Sequence, residues 1–323
     1  MISVFDLAVG NLTSPMILFF ALGLGAAMAR SDLTIPEAVA KGMSLYLMMA
    51  IGFKGGASVA EHGIDTTLVL ALLAGVLLSS LIPILAFHIL KLTTNLSRVD
   101  AAAVAAHYGS ISIVTFLAMT QALESLNIDY EGYMVAVAAA METPAIMVAL
   151  WYAFKSSDKS GQLDVGILRD IFLNGSIVIL IGAFVIGVIT GKDGLNTVAP
   201  FIVSPFKGVL CLFLLDMGLI AGRGLISGGR NLSFPVIAFG LYMPLVGAAL
   251  GIACAWAIGL PPGTAALLVT LAASASYIAV PAALRLALPQ AQPSIYLTLS
   301  LGVTFPFNLT VGIPIYVALS QLL

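Results

Sequence analysis

The sequence predicts an all-α polytopic membrane protein: ten transmembrane helices forming two inverted five-helix repeats, with spans 4 and 9 broken. Three observations predict it. Of 323 residues, 60% are hydrophobic and 9% charged, whereas about a quarter of a soluble domain is charged. KGMSLYLMMAIGFKGG (Lys41 to Gly56) aligns without a gap on KGVLCLFLLDMGLIAG (Lys207 to Gly222) at an offset of 166, so Lys41/Lys207, Gly42/Gly208, Gly52/Gly218 and Gly56/Gly222 coincide. The same offset carries Ser110 onto Ser276. Finally, the basic residues fall almost entirely on alternate connectors. A chain that repeats at half its length, in apolar sequence, points to a transporter built from two repeats.

The apolar stretches run about 17–25 residues, enough to cross roughly 30 Å of hydrocarbon. In order, the spans are about 14–29, 36–52, 66–90, 99–121, 131–154, 169–190, 200–221, 234–257, 263–286 and 294–320. The first 29 residues hold no Lys or Arg. A cleavable signal peptide needs a basic start, so Thr13 to Ala29 is expected as a retained first helix. Turn residues mark the connectors: Asp32, Gly63, Asn95, Asn127, Lys155 to Gln162, Gly191 to Gly194, Ser227 to Asn231 and Pro261-Pro262. The longest connector divides the chain into a first repeat (1–155), a connector (156–168) and a second repeat (169–323). Cys211 and Cys254 lie in apolar helices without metal-ligand spacing, and core packing is expected for both.

Ten spans place alternate connectors on opposite sides. One side carries nine basic residues: Arg30, Lys91, Arg98, Lys155, Lys159, Arg169, Arg223, Arg230 and Arg285. The other carries Lys54 and Lys192, while Lys41 and Lys207 lie within helices. The positive-inside rule then puts the 155–168 connector in the cytoplasm and both termini outside. Five spans per half is an odd number, so the second repeat enters the membrane upside down. Inverted repeats of this kind place a site at their interface near mid-membrane.

Span 4 is interrupted at Tyr108-Gly109-Ser110 and span 9 at Ser274-Ala275-Ser276, with Pro281 nearby. A broken span frees backbone N–H groups, which persist in a membrane only beside a cavity or inside protein. The start of a half-helix, with its dipole and serine hydroxyls, is a ready anion site. Two such breaks facing each other would hold a small anion without Arg or Lys. The alternative is that these small residues only permit close helix packing.

Two acids lie within spans: Glu142, followed by Thr143 and Pro144, and Asp216. A charge at such depth costs a few kcal/mol, roughly 2.5–3.5 on insertion scales, so an intramembrane acid is a functional candidate. Glu142 is a candidate Na+ ligand or proton carrier, and Asp216 either functions or pairs with Lys54 or Arg223. In span 10, Thr304 and Asn308 offer neutral oxygens at the counterpart of Glu142-Thr143-Pro144. His107 beside the first break is expected as a hydrogen-bonded core group, with a proton relay as the alternative. The sequence has no HExxH, GxSxG or Walker loop and no basic cluster for nucleic acid, so neither an enzyme nor an ATP-driven machine is expected.

At IPEAVAKGMSLYLMMAIGFKGG, NIDYEGYMVAVAAAMETPAI and LDMGLIAG, and from Leu267 to the C-terminus through SYIAVPAALR, PSIYL and GIPIYVAL, the chain resembles the sodium-dependent bicarbonate transporters of the SbtA type. The resemblance implies a gate and a core domain, a homotrimer in a bacterial inner membrane, bicarbonate at the facing half-helix ends with Na+ nearby, and in some members a cytoplasmic PII-like regulator. It also marks departures. The family keeps an Asp where Glu142 stands, and Tyr277 stands where its serine-rich run ends in Asp. One carboxylate is therefore missing, and the short connector leaves little for a regulator. The expected anion residues are Ser110, Ser112, Ser274 and Ser276, with Gly109 and Tyr277. The expected cation residues are Glu142, Thr143, Thr115, Thr304 and Asn308, with no metal other than Na+ and no further cofactor. The expected function is Na+-coupled uptake of a small anion, most simply bicarbonate, by alternating access. The alternative is a proton- or sodium-coupled carrier of a small organic anion, towards which Tyr277 leans.

Overall fold

The computed structural model describes residues 9, 10, 12–63, 65–154, 175–228, 232–277, 280, 281, 283, 284 and 288–323. The 156–168 connector lies outside them, as do Lys155, Lys159, Arg169, Arg230 and Arg285. Among the described residues the regular structure is helical. The helices are α1 Pro15–Met28, α2 Glu37–His62, α3 Thr66–Thr93, α4 Arg98–Gly109, α5 Ile113–Ser125, α6 Met134–Phe154, α7 Gly175–Ile202, α8 Phe206–Gly228, α9 Phe234–Ile258 and α10 Pro262–Ala273. The last, α11, is the run Pro293–Ser320. Eight helical runs, counting α4 and α5 as one, are long and apolar enough to cross a membrane; α1 and α10 are apolar but shorter.

Local sequence explains the ends. Ser14, Asp65 and Ser97 accept from Ile17 N (3.4 Å), Leu68 N (2.8 Å) and Asp100 N (3.0 Å), capping α1, α3 and α4. Gly259, at φ 76°, closes α9 in the left-handed conformation. Two expectations shift. Span 2 runs on to His62 instead of ending near 52. The expected turn at Gly191 to Gly194 is a kink inside α7: Gly191 takes φ 59°, ψ −151°, which only glycine adopts readily, and the chain re-enters helix at once. Span 7 therefore begins at Phe206. In α11, two π-helical turns, Ser300–Thr304 and Asn308–Gly312, flank Phe305–Phe307. Both cysteines are half-buried free thiols: Cys254 packs against the hydrophobic core from α9, whereas Cys211 lies where α8 is only partly covered.

The two halves interlock by the same contacts. α2 packs along α7, and α8 packs along α1. The glycines that define the repeat make this possible. A Cβ at Gly52 or Gly56 would lie 2.5 Å from Leu180 O or 1.9 Å from Phe184 O in α7; one at Gly218 would lie 2.1 Å from Phe20 O in α1. Small residues bring the backbones together where no hydrophobic force separates lipid from protein. A second reciprocal pair ties the start of one half's broken helix to the other half's last helix. Asp100 Oδ1 accepts from Gln292 N (2.9 Å), and Thr264 Oγ1 accepts from Glu131 N (3.0 Å). α4 and α5 sit innermost, walled by α3, α6 and α10, with every residue of α4 from Asp100 to Gly109 buried.

Candidate functional site

The chain leaves the helical conformation at two places inside this core. After α4, Ser110 (φ −86°, ψ 170°) and Ser112 (φ −106°, ψ 106°) are extended. After α10, Ser274 (φ −88°, ψ 166°) begins a non-helical stretch to Tyr277, and the described residues beyond it (Val280, Pro281, Ala283 and Leu284) are helical again. Gly109 sits where a Cβ would meet Pro83 Cδ at 2.5 Å and Ala145 Cβ at 2.9 Å. The first break therefore needs a glycine against α3 and α6.

The two breaks touch. Ser276 N donates to His107 O (2.7 Å), and Ser112 N donates to Ser274 Oγ (2.9 Å). Ser274 Oγ donates back to Leu271 O (2.9 Å). Ser112 caps α5, its Oγ accepting from Thr115 N (3.2 Å) and Thr115 Oγ1 (2.9 Å). That capping leaves Ile113 and Val114 as first-turn N–H groups it does not reach. Ser110 Oγ is buried without a hydrogen-bond partner. The Tyr277 hydroxyl is directed at Ser112 without meeting hydrogen-bond geometry, and its ring lies 5.1 Å from Phe305. The structure thus gathers Ser110, Ser112, Thr115, Ser274, Ser276 and Tyr277 around one crossing, beside the positive end of α5.

The candidate cation residues divide. Glu142 is 5% exposed, and its Oε2 has no hydrogen-bond partner. It lies one turn before Ala145 on the same face of α6, and Ala145 meets Gly109. Thr143 points elsewhere: with Pro144 it lines a crevice of about 690 Å³ between α6 and α7. Adjacent helical positions diverge by about 100°, so Thr143 is off the face that carries Glu142. Thr304 and Asn308 hold protein partners. Thr304 Oγ1 donates to Gly240 O (2.7 Å) and pairs with Tyr108 OH (2.5 Å). Asn308 Nδ2 donates to Ala273 O (3.0 Å), steadying the end of α10, and its Oδ1 accepts from Tyr316 OH (2.7 Å).

Asp216 is buried in α8, and among the described residues no ion pair reaches it; Arg223 acts on it at a distance, while Lys54 pairs with Glu124 instead. His107 Nδ1 bonds Ala103 O (2.7 Å), its ring lies 4.6 Å from Tyr296, and Nε2 has no hydrogen-bond partner. Sequence reading missed Tyr108 as the link from the first break to α11, and Asp100 and Thr264 as reciprocal caps. The visible signal was a polar residue, Asp100 or Thr264, in the first turn of each broken helix.

No curated protein matches the chain. The family model described as the Na+-dependent bicarbonate transporter superfamily matches residues 15–321. A match over nearly the whole chain, on a fold of several apolar helices, makes this a multi-pass membrane transporter rather than an enzyme: the chain belongs to the Na+-dependent bicarbonate transporter superfamily.

Proposed function

We propose that the chain carries bicarbonate inward together with Na+ by alternating access, through ten spans arranged as two inverted five-helix repeats. In this reading α1 and α10 are spans 1 and 9, the latter completed by the helix beyond its break. Both termini face outward, across a bacterial inner membrane. The anion sits at the crossing of the breaks, held by Ser110, Ser112, Ser274 and Ser276, the uncapped amides of α5 and the Tyr277 hydroxyl. Gly109 lets the first break lie close against α3 and α6. Glu142 is the charged cation ligand, with Thr115, Thr304 and Asn308 supplying neutral oxygens once they release their present partners. Thr143 has no part in it.

One observation carries this reading: two broken helices cross by direct hydrogen bonds in the buried core, with Ser110 Oγ and Glu142 Oε2 left without hydrogen-bond partners. Buried polar atoms without partners are costly, roughly 1–3 kcal/mol each, and such atoms are retained where a ligand satisfies them. Na+ beside the crossing would raise anion affinity, and the anion must raise Na+ affinity by the same factor. Uptake of labelled bicarbonate into proteoliposomes tests the reading. Flux should require Na+ on the side of the anion. Flux that ignores Na+ and follows a pH gradient, or that carries an organic anion in place of bicarbonate, would replace this reading with proton-coupled or organic-anion carriage.

A further inference from the structure

A second polar space lies along α5, away from the crossing. Ser112, Phe116 and Thr120 share one stripe of that helix at four-residue spacing. Beyond buried Phe116, about 6 Å along the axis from Ser112, opens a cavity of about 220 Å³ lined by Lys54, Phe116, Thr120, Gln121, Tyr130 and Glu131 among others. It faces the side that the basic residues assign to the outside. Gln121 is 4% exposed; its Nε2 donates to Glu124 Oε2 (3.1 Å), which leaves Oε1 as a buried acceptor without a hydrogen-bond partner. Lys54 is held only loosely, with Glu124 Oε1 at 3.8 Å and the Phe206 ring centroid at 5.6 Å. The other oxygen of Glu124 faces Lys207 at 3.6 Å. Glu124 thus has a second cation and the Tyr130 hydroxyl (3.4 Å) to keep it satisfied if Lys54 turns away.

We propose that this cavity is an outer capture site for the transported monoanion, bound by the Lys54 ammonium and the Gln121 carbonyl before it passes Phe116 to the crossing. The Lys54 ammonium and the Gln121 carbonyl on one cavity fit an anion that carries its own O–H donor, as bicarbonate does: its charged oxygens face Lys54 and its hydroxyl donates to Gln121 Oε1. Nitrate and chloride offer no donor and would leave Oε1 unpaired. Glu131, on the same lining, disfavours a second negative charge and hence carbonate. The inference rests on the bicarbonate-transport reading above.

The half-saturation concentration for bicarbonate uptake into proteoliposomes, measured at fixed Na+, tests it. Lys54→Gln should raise that concentration roughly two- to fivefold, the worth of one partly exposed charge contact, and Lys54→Arg should restore it. Gln121→Leu should also raise it, and should narrow the gap between bicarbonate and nitrate as competitors. Glu124→Gln removes the competing carboxylate and should leave the value unchanged or lower it. If Glu124→Gln raises the value as much as Lys54→Gln, the ion pair is only structural and the capture site is overturned. Unchanged values in both Lys54→Gln and Gln121→Leu, with normal protein yield, overturn it as well. A wild type that moves no bicarbonate overturns both this inference and the transport reading.

Discussion

The two breaks are alike in sequence and in backbone, yet differ in what their neighbours have left over. At the second, Asn308 spends both ends of its amide, on Ala273 O and on Tyr316 OH, and Ser274 Oγ is bonded on two sides. At the first, Ser110 Oγ and Glu142 Oε2 are buried without hydrogen-bond partners, whereas the second leaves a buried neutral hydroxyl, that of Tyr277. Glu142 and Asn308 correspond at the repeat offset of 166. Positions equivalent at that offset thus carry a saturated neutral amide in one half of the sequence and an unsatisfied acid in the other. An amide that supplies both donor and acceptor can be closed by protein alone; a buried carboxylate with an oxygen left unpartnered calls for a cation or a proton. The difference teaches that cation dependence should belong to the first half and structural closure to the second.

The largest expected effect is loss of anion binding. Ser110→Leu and Ser276→Leu each put a branched side chain into the crossing and should abolish bicarbonate uptake in proteoliposomes while the protein still purifies folded. Normal uptake in both would remove the crossing as the site. Next comes Glu142→Gln, which keeps the shape and removes the charge: Na+ should no longer stimulate uptake or raise the thermal unfolding temperature in detergent. An unchanged Na+ response would break the proposed asymmetry. Asn308→Asp sharpens it from the other side. It should weaken the hold on Ala273 O and lower stability, by roughly 1–3 kcal/mol for a buried hydrogen bond lost, and part of that loss should be recovered in Na+ if the second half can still accept a cation. The smallest effect is at the reciprocal caps. Asp100→Ala and Thr264→Val each remove an acceptor for a backbone N–H just ahead of a partner helix, Gln292 before α11 and Glu131 before α6, at about 0.5–1.5 kcal/mol, read as a modest drop in unfolding temperature without change in Na+ response.

Much of the framework was legible because it rests on local properties. Apolar runs, glycine spacing and serine-rich interruptions identify the helices, the repeated glycines and both breaks, while the partners of Gly52, Gly56 and Gly218 came only from the structure. The polar atoms near the breaks were legible as candidates and not as a site. Thr143 follows Glu142 in the chain, yet it lines the crevice against α7, because neighbouring helical residues diverge in direction. Thr304 and Asn308 looked equivalent to free oxygens, and only their partners, Gly240, Tyr108 and Ala273 on other helices and Tyr316 two turns on, decided otherwise. Lys54 looked like a partner for Asp216 and instead meets Glu124, which lies on another helix.

By itself the sequence determined a polytopic helical protein with a repeat, two helix breaks and two intramembrane acids. Those follow from composition and short-range pattern, which need no knowledge of which segments meet. Tertiary structure alone decided that the breaks cross through Ser276–His107 and Ser112–Ser274. It alone left Glu142 unsatisfied where Asn308 is saturated, and set Gln121 and Lys54 on one cavity. Hydrogen bonding and burial are pairwise, and most of the pairs that matter here lie more than 30 residues apart, on helices whose relative rotation no local pattern encodes.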